Sequence, residues 1–395
     1  MNLDIFHIDS DCTGCGACVN VCPKQCIALK PNKEGFYYPG SISDACIGCK
    51  MCEKVCHILN PISKTHVSED GFLLYRSEAK EVIESSSSGG IFTLLAEHIL
   101  TQGGVVFGSY FNPDTERLEV ASSEDVDWHL FRKSKYVETY TGHTFNHVAE
   151  SLANGKKVLY CSTPCQIRGL VQYLTKKKID RSQLVTVDLI CHGVPSSDFF
   201  HFFYKRHVNR HKPLKELNFR HKDFNTGRYL WHNPAIVFNY TDGSRDVFSG
   251  QRPSSFQYIR FFYDNLSLRK SCYKCKYPEY SYADFTIADF WGITEYKPQY
   301  DDNKGISLAK MNTDKAIAVW NSLEVRGYFE EVDSRYCTYV YKKLDKSSIL
   351  PARDKFYQNA SRWGYFPAVF LTYKGKVVLA YIKYWIKLLI GRRVD

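Results

Sequence analysis

Cysteine is the residue type whose spacing could do chemistry in this chain. CTGCGACVNVCP, from Cys12 to Pro23, returns as CIGCKMCEKVCH, from Cys46 to His57, and nine of the fifteen cysteines lie between Cys12 and Cys56. A C-x2-C-x2-C-x3-C run presents three thiolates to one iron–sulfur cubane and a fourth to its neighbour. On that pattern Cys12, Cys15, Cys18 and Cys56 hold one 4Fe-4S cluster, and Cys46, Cys49, Cys52 and Cys22 hold the other. Gly14, Gly16 and Gly48 let the backbone wrap closely and aim N–H groups at the sulfurs. Zinc sites usually pair C-x2-C units around one ion, and four regularly spaced thiols in each half is too many for that. His57 stands where the first half has Pro23, which changes a turn preference and no ligand. Cys26 has no copy in the second half and reads as a small buried hydrophobe.

A second constellation lies downstream. Cys165 follows Pro164 at the start of an expected helix, where the N-terminal dipole favours a thiolate. Cys191 ends an expected strand, and SCYKCKY supplies Cys272 and Cys275 as a C-x2-C hook. If the strands ending at Cys161 and Cys191 are parallel neighbours, their carboxyl ends meet where α/β sheets gather ligands. Two readings follow. Cys165, Cys191, Cys272 and Cys275 converge on a third cluster, or Cys272 and Cys275 bind zinc with Cys161 and Cys165 while Cys191 is a core residue. Cys337, in the alternating segment RYCTYVY, reads as strand packing.

These residues need a scaffold, and 395 residues at about 150 per domain allow two to three domains. Hydrophobic residues at 44% and charged residues at 24% describe a chain that folds. A net charge of +10 favours acidic partners such as phosphorylated cofactors, nucleic acid or anionic lipid. The opening MNLDIFHIDSDC has no basic region followed by an apolar one, so secretion is not expected and the thiols belong in a reducing cytosol. Between the repeats, Ile27 to Leu29 and Phe36 to Tyr38 read as short strands. SSSSGG at Ser85 to Gly90 precedes an amphipathic run from Ile91, so the serines are expected to cap a helix. KKVLYC, QIRGLVQYL, LVTVDLIC and SSDFFHFFYKRH then read as strand, helix, strand and helix, the signature of βαβ units. NPAIVFNYTDGSRDVF reads as a hairpin around Asp242-Gly243. The expected fold is an α+β or mixed α/β body behind a bacterial dicluster ferredoxin-like module. No stretch of eighteen apolar residues spans a bilayer. In the tail, Lys376, Lys383 and Lys387 share one helical face opposite Val378, Ile382, Trp385 and Leu389. That pattern fits an in-plane helix over residues 376–390 at an anionic membrane surface as well as a terminal helix docked on its own body.

LYCSTPCQIRGL, DLICHGVPS, FRHKDFNTGRYLW, SCYKCKYPEY, IADFWGI and NKGISL, in this order, resemble the family of beta subunits of coenzyme F-420 hydrogenase and dehydrogenase. SSSSGGIFTLLAEHIL and KSKYVE are similar to the family's N-terminal portion. The resemblance divides the chain into a two-cluster ferredoxin-like domain (1–62), a connector (63–84), the family's N-terminal portion (85–155), its C-terminal portion (156–345) and a basic amphipathic tail (346–395). It implies a flavoprotein that holds FAD beside an iron–sulfur cluster. Relatives with the same front end include reductases of chlorophyll-type substrates and proteins that accompany surface polysaccharide synthesis. By position, Cys165, Cys191, Cys272 and Cys275 match the cluster-associated cysteines. Ser87, Ser88, Gly89, Gly90, Lys135, Tyr136, Thr163 and Gln166 occupy motifs near the expected flavin site. Ala288 departs from the glycine that commonly precedes the aspartate-phenylalanine-tryptophan-glycine motif, and Ser281 from a frequent arginine. Both departures bear on the substrate side.

From the residues alone, a serine-glycine stretch opening a helix can cradle a pyrophosphate, although such a stretch is more often just a cap. Lys135 and Lys222 could balance phosphate charge. Two functions follow: an iron–sulfur flavin oxidoreductase acting on a coenzyme F-420-like or other acceptor or donor, and a non-catalytic electron-transfer or assembly subunit of a larger complex. No catalytic acid or base stands out. The partner is a redox protein or small-molecule electron carrier rather than nucleic acid, since Lys176 to Lys178 is a short run and no finger, OB or RRM signature is present. The expected location is cytoplasmic, at the inner membrane face if the tail binds lipid.

Overall fold

The computed structural model describes residues 3–41, 43–61, 71–209, 211–228, 230–249, 257–275, 281–340, 346–372 and 386. In chain order its elements are α1 (Ala17–Val21), β1 (Ile27–Pro31), β2 (Tyr37–Ser41), α2 (Met51–Val55), β3 (Phe72–Ser77), α3 (Lys80–Glu84), α4 (Ile91–Thr101), β4 (Val105–Asn112), β5 (Arg117–Ser122), α5 (Thr144–Ala153), β6 (Val158–Ser162), α6 (Pro164–Lys177) and β7 (Leu184–Leu189). The second half adds α7 (Ser197–Tyr204), β8 (Leu214–His221), β9 (Ala235–Tyr240), β10 (Arg245–Ser249), α8 (Gln257–Tyr263), β11 (Phe285–Asp289), α9 (Ile293–Tyr296), β12 (Ser307–Met311), α10 (Asp314–Ser322), β13 (Gly327–Glu331), α11 (Leu350–Trp363) and α12 (Tyr365–Thr372).

An eight-stranded mixed sheet in the order β13-β3-β12-β11-β7-β6-β4-β5 organises the body. β4, β6, β7 and β11 pair in parallel, as the alternation of strands and helices requires, and the flanking strands are antiparallel. Side chains alternate between its faces. Val158, Tyr160 and Leu184 turn toward α5, α6 and the N-terminal repeat, in one core with Phe145, Ile167, Leu170, Val19 and Val55. Leu159, Val185, Val187 and Phe285 turn the other way, against Ile91, Leu95 and Ile99 of α4 and Trp320 of α10. The cysteine-rich module therefore sits on the α6 side of the sheet.

A smaller sheet, β10-β9-β8, contains the hairpin read from Asp242-Gly243. Its core is aromatic: Phe199, Phe200, Phe203 and Tyr204 of α7 meet Phe219, Phe238, Tyr258, Phe261, Phe356 and Tyr357. Each fully buried ring contributes roughly 2–3 kcal/mol.

Three expectations are corrected. The connector over 63–84 contains β3, an interior strand of the large sheet between β12 and β13. The serines do not cap α4, because the N-cap is Gly90 in the left-handed region and makes no side-chain cap. Ser88 Oγ instead donates to Ile306 O at 2.6 Å. The tail drawn from residue 346 opens with two helices that bury Phe356, Tyr357, Ala368 and Val369, whereas the amphipathic stretch 376–390 lies, apart from Ile386, outside the described residues. Cys337 is buried as expected, in a 3-10 segment rather than a strand.

Candidate redox site

The halves of the N-terminal repeat share a local geometry. α1 and α2 each begin after a residue in the left-handed region, Gly16 (φ 81°) and Lys50 (φ 57°). They end at Cys22 and Cys56, both at φ −69°. Where the halves differ, packing explains it: a Cβ on Gly16 would stand 2.2 Å from Thr141 Oγ1 of the body, whereas Lys50 is exposed. Each last thiol reaches across to the other half. Cys56 lines one space with Cys12, Cys15 and Cys18. Cys22 lines another with Cys46, Cys49 and Cys52. Among the described residues no three His, Cys, Asp or Glu side chains are arranged to hold one metal ion. Each space is lined by four of the expected thiols, the number a cubane with one cysteine per iron takes. Desolvation and the neighbouring sulfurs raise the Cys15 and Cys18 thiols, so these groups become thiolates together only with cations between them. The residues thus fit two cubanes.

The two spaces differ in surroundings. The second is at the surface, with Cys49 exposed and Ile47 62% exposed. Cys26 is buried on its rim, its sulfur 3.4 Å from that of Cys22. The first faces α6, where a Cβ on Gly169 would stand 2.8 Å from Cys15 Sγ. His57 is buried there with Nε2 3.2 Å from Thr13 Oγ1. Burial and the Arg168 charge push His57 down to about 3, so it stays neutral.

Four residues before Gly169, about 6 Å along α6, is Cys165. Its thiol lies within electrostatic range of Cys272 and Cys275 and also of Cys15. Cys191 completes the set, facing Cys272, Cys165 and Cys275. Desolvation pushes the Cys165 thiol up to about 12. Cys161 faces Lys135 and Asp188, so the structure groups Cys191 with the other three and leaves Cys161 apart. Sequence reasoning missed Lys346, whose ammonium bonds His192 O and faces Cys272, Cys191 and Cys275.

The residues expected at a flavin divide into two neighbourhoods. In the first, Ser87 Oγ accepts from Ser134 N at 2.7 Å, beside Lys135 and Tyr136. Lys135 Nζ donates to the carbonyls of Arg132 (2.7 Å) and Lys133 (3.2 Å). Lys222 Nζ donates to Ser88 O (3.1 Å) and Lys304 O (2.7 Å). Desolvation pushes both ammoniums down to about 7; the Lys133 charge acts in the same direction on each, against Glu216 at Lys135 and Asp289 at Lys222. The Gly89 N–H donates to Ser307 Oγ at 2.9 Å, and a Cβ there would lie 2.2 Å from Tyr75 O. Gly90 (φ 92°) opens α4. Tyr136 stacks on Phe262 at 4.8 Å. In the second neighbourhood, Gln166 bonds Thr139 O at 2.9 Å and also Ser162, while Thr163 Oγ1 lies 3.4 Å from Cys165 Sγ. In the first, two desolvated ammoniums are bonded to carbonyls rather than carboxylates, and such groups gain from an anion.

Residues 155–335 match the family described as the C terminus of the coenzyme F420 hydrogenase/dehydrogenase beta subunit, and residues 11–58 match the 4Fe-4S dicluster domain. Residues 155–335 belong to that family of beta subunits, behind a 4Fe-4S dicluster domain. The F-subunit of F(420)H(2) dehydrogenase from Methanosarcina mazei is 21% identical over 202 residues, 46% of this chain and 53% of the relative. Acetyl-CoA decarbonylase/synthase complex subunit alpha 1 of Methanosarcina barkeri is 40% identical over 74 residues, 16% of this chain and 9% of the relative. The chain thus spans about half the length of the first relative and under a tenth of the second. A chain of the F420-reducing [NiFe] hydrogenase complex from Methanosarcina barkeri aligns with a TM-score of 0.47 at 14% identity, over 74% of this chain and 95% of that one.

Within residues 155–335, Ser281 is one of the two positions at which the resemblance breaks down. Its hydroxyl donates to Asp188 at 2.9 Å. Asp188 is 2% exposed, and its Oδ1 has no hydrogen-bond partner among the described residues. Burial pushes this carboxyl up to about 7. The folded chain therefore holds a proton that the unfolded chain releases near pH 4, and stability falls as pH rises from about 4 to 7, by roughly 4 kcal/mol at most. Asp188→Asn removes this dependence. In thermal unfolding the variant should gain on the wild type between pH 5 and pH 8 and be the more stable at pH 8. A difference constant across that range contradicts the assignment.

Proposed function

We propose that this protein is an iron–sulfur flavoprotein that passes electrons between three 4Fe-4S clusters and FAD, and through FAD to a separate donor or acceptor. The observation that carries the reading is the file of thiol sets: the Cys46 set at the surface, the Cys12 set beneath it against α6, and the Cys165 set at the start of that helix. When bound, the clusters supply one-electron exchange and a flavin supplies one- or two-electron exchange. The chain's own residues set distance and charge. α6 fixes the spacing between the Cys12 and Cys165 sets, Lys346 places a cation beside the latter, and Lys133, Lys135 and Lys222 offer charge to a pyrophosphate at the N-terminus of α4. One relative is named as a subunit of F(420)H(2) dehydrogenase and another as a subunit of the acetyl-CoA decarbonylase/synthase complex, and a coenzyme F-420-like carrier, another small-molecule carrier or a redox protein is the class of partner proposed here.

Anaerobic purification followed by iron, sulfide and flavin analysis tests this. About twelve irons with one FAD support the proposal, and about eight irons without flavin make the chain an electron-transfer or assembly subunit. Cys165→Ser and Cys272→Ser should each remove about four irons and leave the ferredoxin signals intact. Unchanged iron in both overturns the third cluster. Lys222→Met should lower FAD retention at least tenfold without loss of iron.

We also propose that the chain rests on an anionic membrane surface. No helix among the described residues is long and apolar enough to cross a membrane. α12, however, exposes Phe366, Phe370 and Leu371 beside Trp363 of α11, and Arg362 lies 5.0 Å over the Trp363 ring. From Thr372 onward the sequence carries Lys374, Lys376, Lys383, Lys387, Arg392 and Arg393 against the single acid Asp395, which suits an interfacial segment. Co-sedimentation with phosphatidylglycerol vesicles should be lost at high salt and reduced at least tenfold by Phe366→Ser/Phe370→Ser. Equal binding by wild type and variant overturns the contact.

A further inference from the structure

Arg269 lies on the seam between the N-terminal module and the body, 1% exposed. Its Nε donates to Cys12 O at 2.7 Å and its Nη2 to Tyr37 O at 2.9 Å. Nη1 pairs with Glu138, which in turn accepts from Tyr37 N at 3.0 Å. The guanidinium lies 4.1 Å over the Tyr38 ring. The backbone of the same residue faces the other way: its N–H donates to Val194 O at 2.9 Å, and its carbonyl accepts from Cys272 N at 3.0 Å. One residue thus touches the Cys12 set with its side chain and the Cys272 set with its main chain. Its charge interacts with Cys12 of one set and Cys272 of the other, and in the latter set it favours the thiolates of Cys165 and Cys272. Gly14 makes room for it, since a Cβ there (φ 69°) would stand 3.0 Å from Nη1.

A latch alone does not need this charge, because a buried ion pair is often matched or bettered by apolar packing of the same volume. The charge does have a consequence for electron passage. An electron passing from a cluster held by the Cys12 set to one held by the Cys272 set would move a negative charge past the guanidinium, with no bond made and no proton moved.

We infer that Arg269 is a positioning residue for electron transfer, a fixed positive charge that stabilises the reduced state of the Cys12 and Cys272 sets, with Glu138 as its opposing trim. The inference rests on the proposed three-cluster reading. Glu138 lies in electrostatic range of Cys272 with the opposite sign, so removing either partner moves both potentials, in opposite directions.

The test is a dithionite titration of the anaerobic holoprotein at pH 8, followed by electron paramagnetic resonance, with iron content measured in each variant. Arg269→Gln should make reduction of the two flanking clusters at least tenfold less favourable, a negative shift of about 59 mV, and Glu138→Gln should shift the same two positively. The Cys46-set signal stays where it is, and Arg269→Lys recovers most of the wild-type value. Full iron with unmoved potentials, or with shifts of the same sign in both variants, overturns the inference. Should Arg269→Gln not fold, Glu138→Gln must still shift both potentials positively while Arg269→Lys leaves them near the wild-type value, and any other pair of results overturns the inference. A wild type with about eight irons sinks the three-cluster reading instead, and the Cys12-set signal must then shift by itself for the role of Arg269 to stand.

Discussion

Each half of the N-terminal repeat lends its last thiol to the space of the other half. Cys22 and Cys56 leave α1 and α2 in the same backbone conformation, so the exchange is built into the repeat. Neither space is complete without the other, and filling either one binds both helices together. Metal binding and folding of the module are then one event, since the site exists only in the folded chain. The body depends on the same constraint. Val19, Val21, Ile27 and Val55 of the module share a core with Ile167, Leu170 and Leu174 of α6, so whatever orders the module also orders the helix that begins at Cys165.

Charge is distributed along this arrangement with a consistent sense. Arg269 stands between the first and third thiol sets, Lys346 beside the third, and Lys133, Lys135 and Lys222 around the N-terminus of α4. Lys135, Lys222 and Lys346 are bonded to main-chain carbonyls, and unlike Arg269 they make no ion pair among the described residues. Carbonyls satisfy their hydrogens without neutralising their charge, and only the more distant Glu216 and Asp289 act on Lys135 and Lys222 with the opposite sign, an arrangement that is costly away from water. Such charges are stabilised by whatever negative charge arrives, whether electrons on iron or the phosphates of a cofactor. The net charge of +10 is therefore partly internal, and only part of it faces acidic partners at the surface.

What the sequence reveals follows the range of the interaction. The ferredoxin ligands are spaced within a few residues, so their pattern survives without a fold. The β6-α6-β7 unit is legible for the same reason. The convergence of Cys165, Cys191, Cys272 and Cys275 follows from parallel pairing of β6 and β7, and the choice against Cys161 needed the structure, because alternation along β6 turns that thiol to the α4 side. β3 was hidden because its partners, β12 and β13, lie more than two hundred residues downstream, leaving only the apolar run Phe72 to Tyr75 as a signal. The serines before α4 misled because they are common caps, whereas the chain reaches that helix through Gly90 at positive φ and spends Ser88 on Ile306. Arg269 carried no sequence signal at all: its contact with Cys12 spans 257 positions, and the residues between it and the Cys272 hook read as ordinary polar chain.

Anomalous diffraction from anaerobic crystals, collected on both sides of the iron edge and the zinc edge, measures the central claim most directly. The account predicts three compact iron peaks in file, one within each of the Cys46, Cys12 and Cys165 sets, the first two each bound by a thiol from the opposite half of the repeat. Zinc at single points between pairs of cysteines, or iron bound by Cys22 and Cys56 each within its own half, would contradict it.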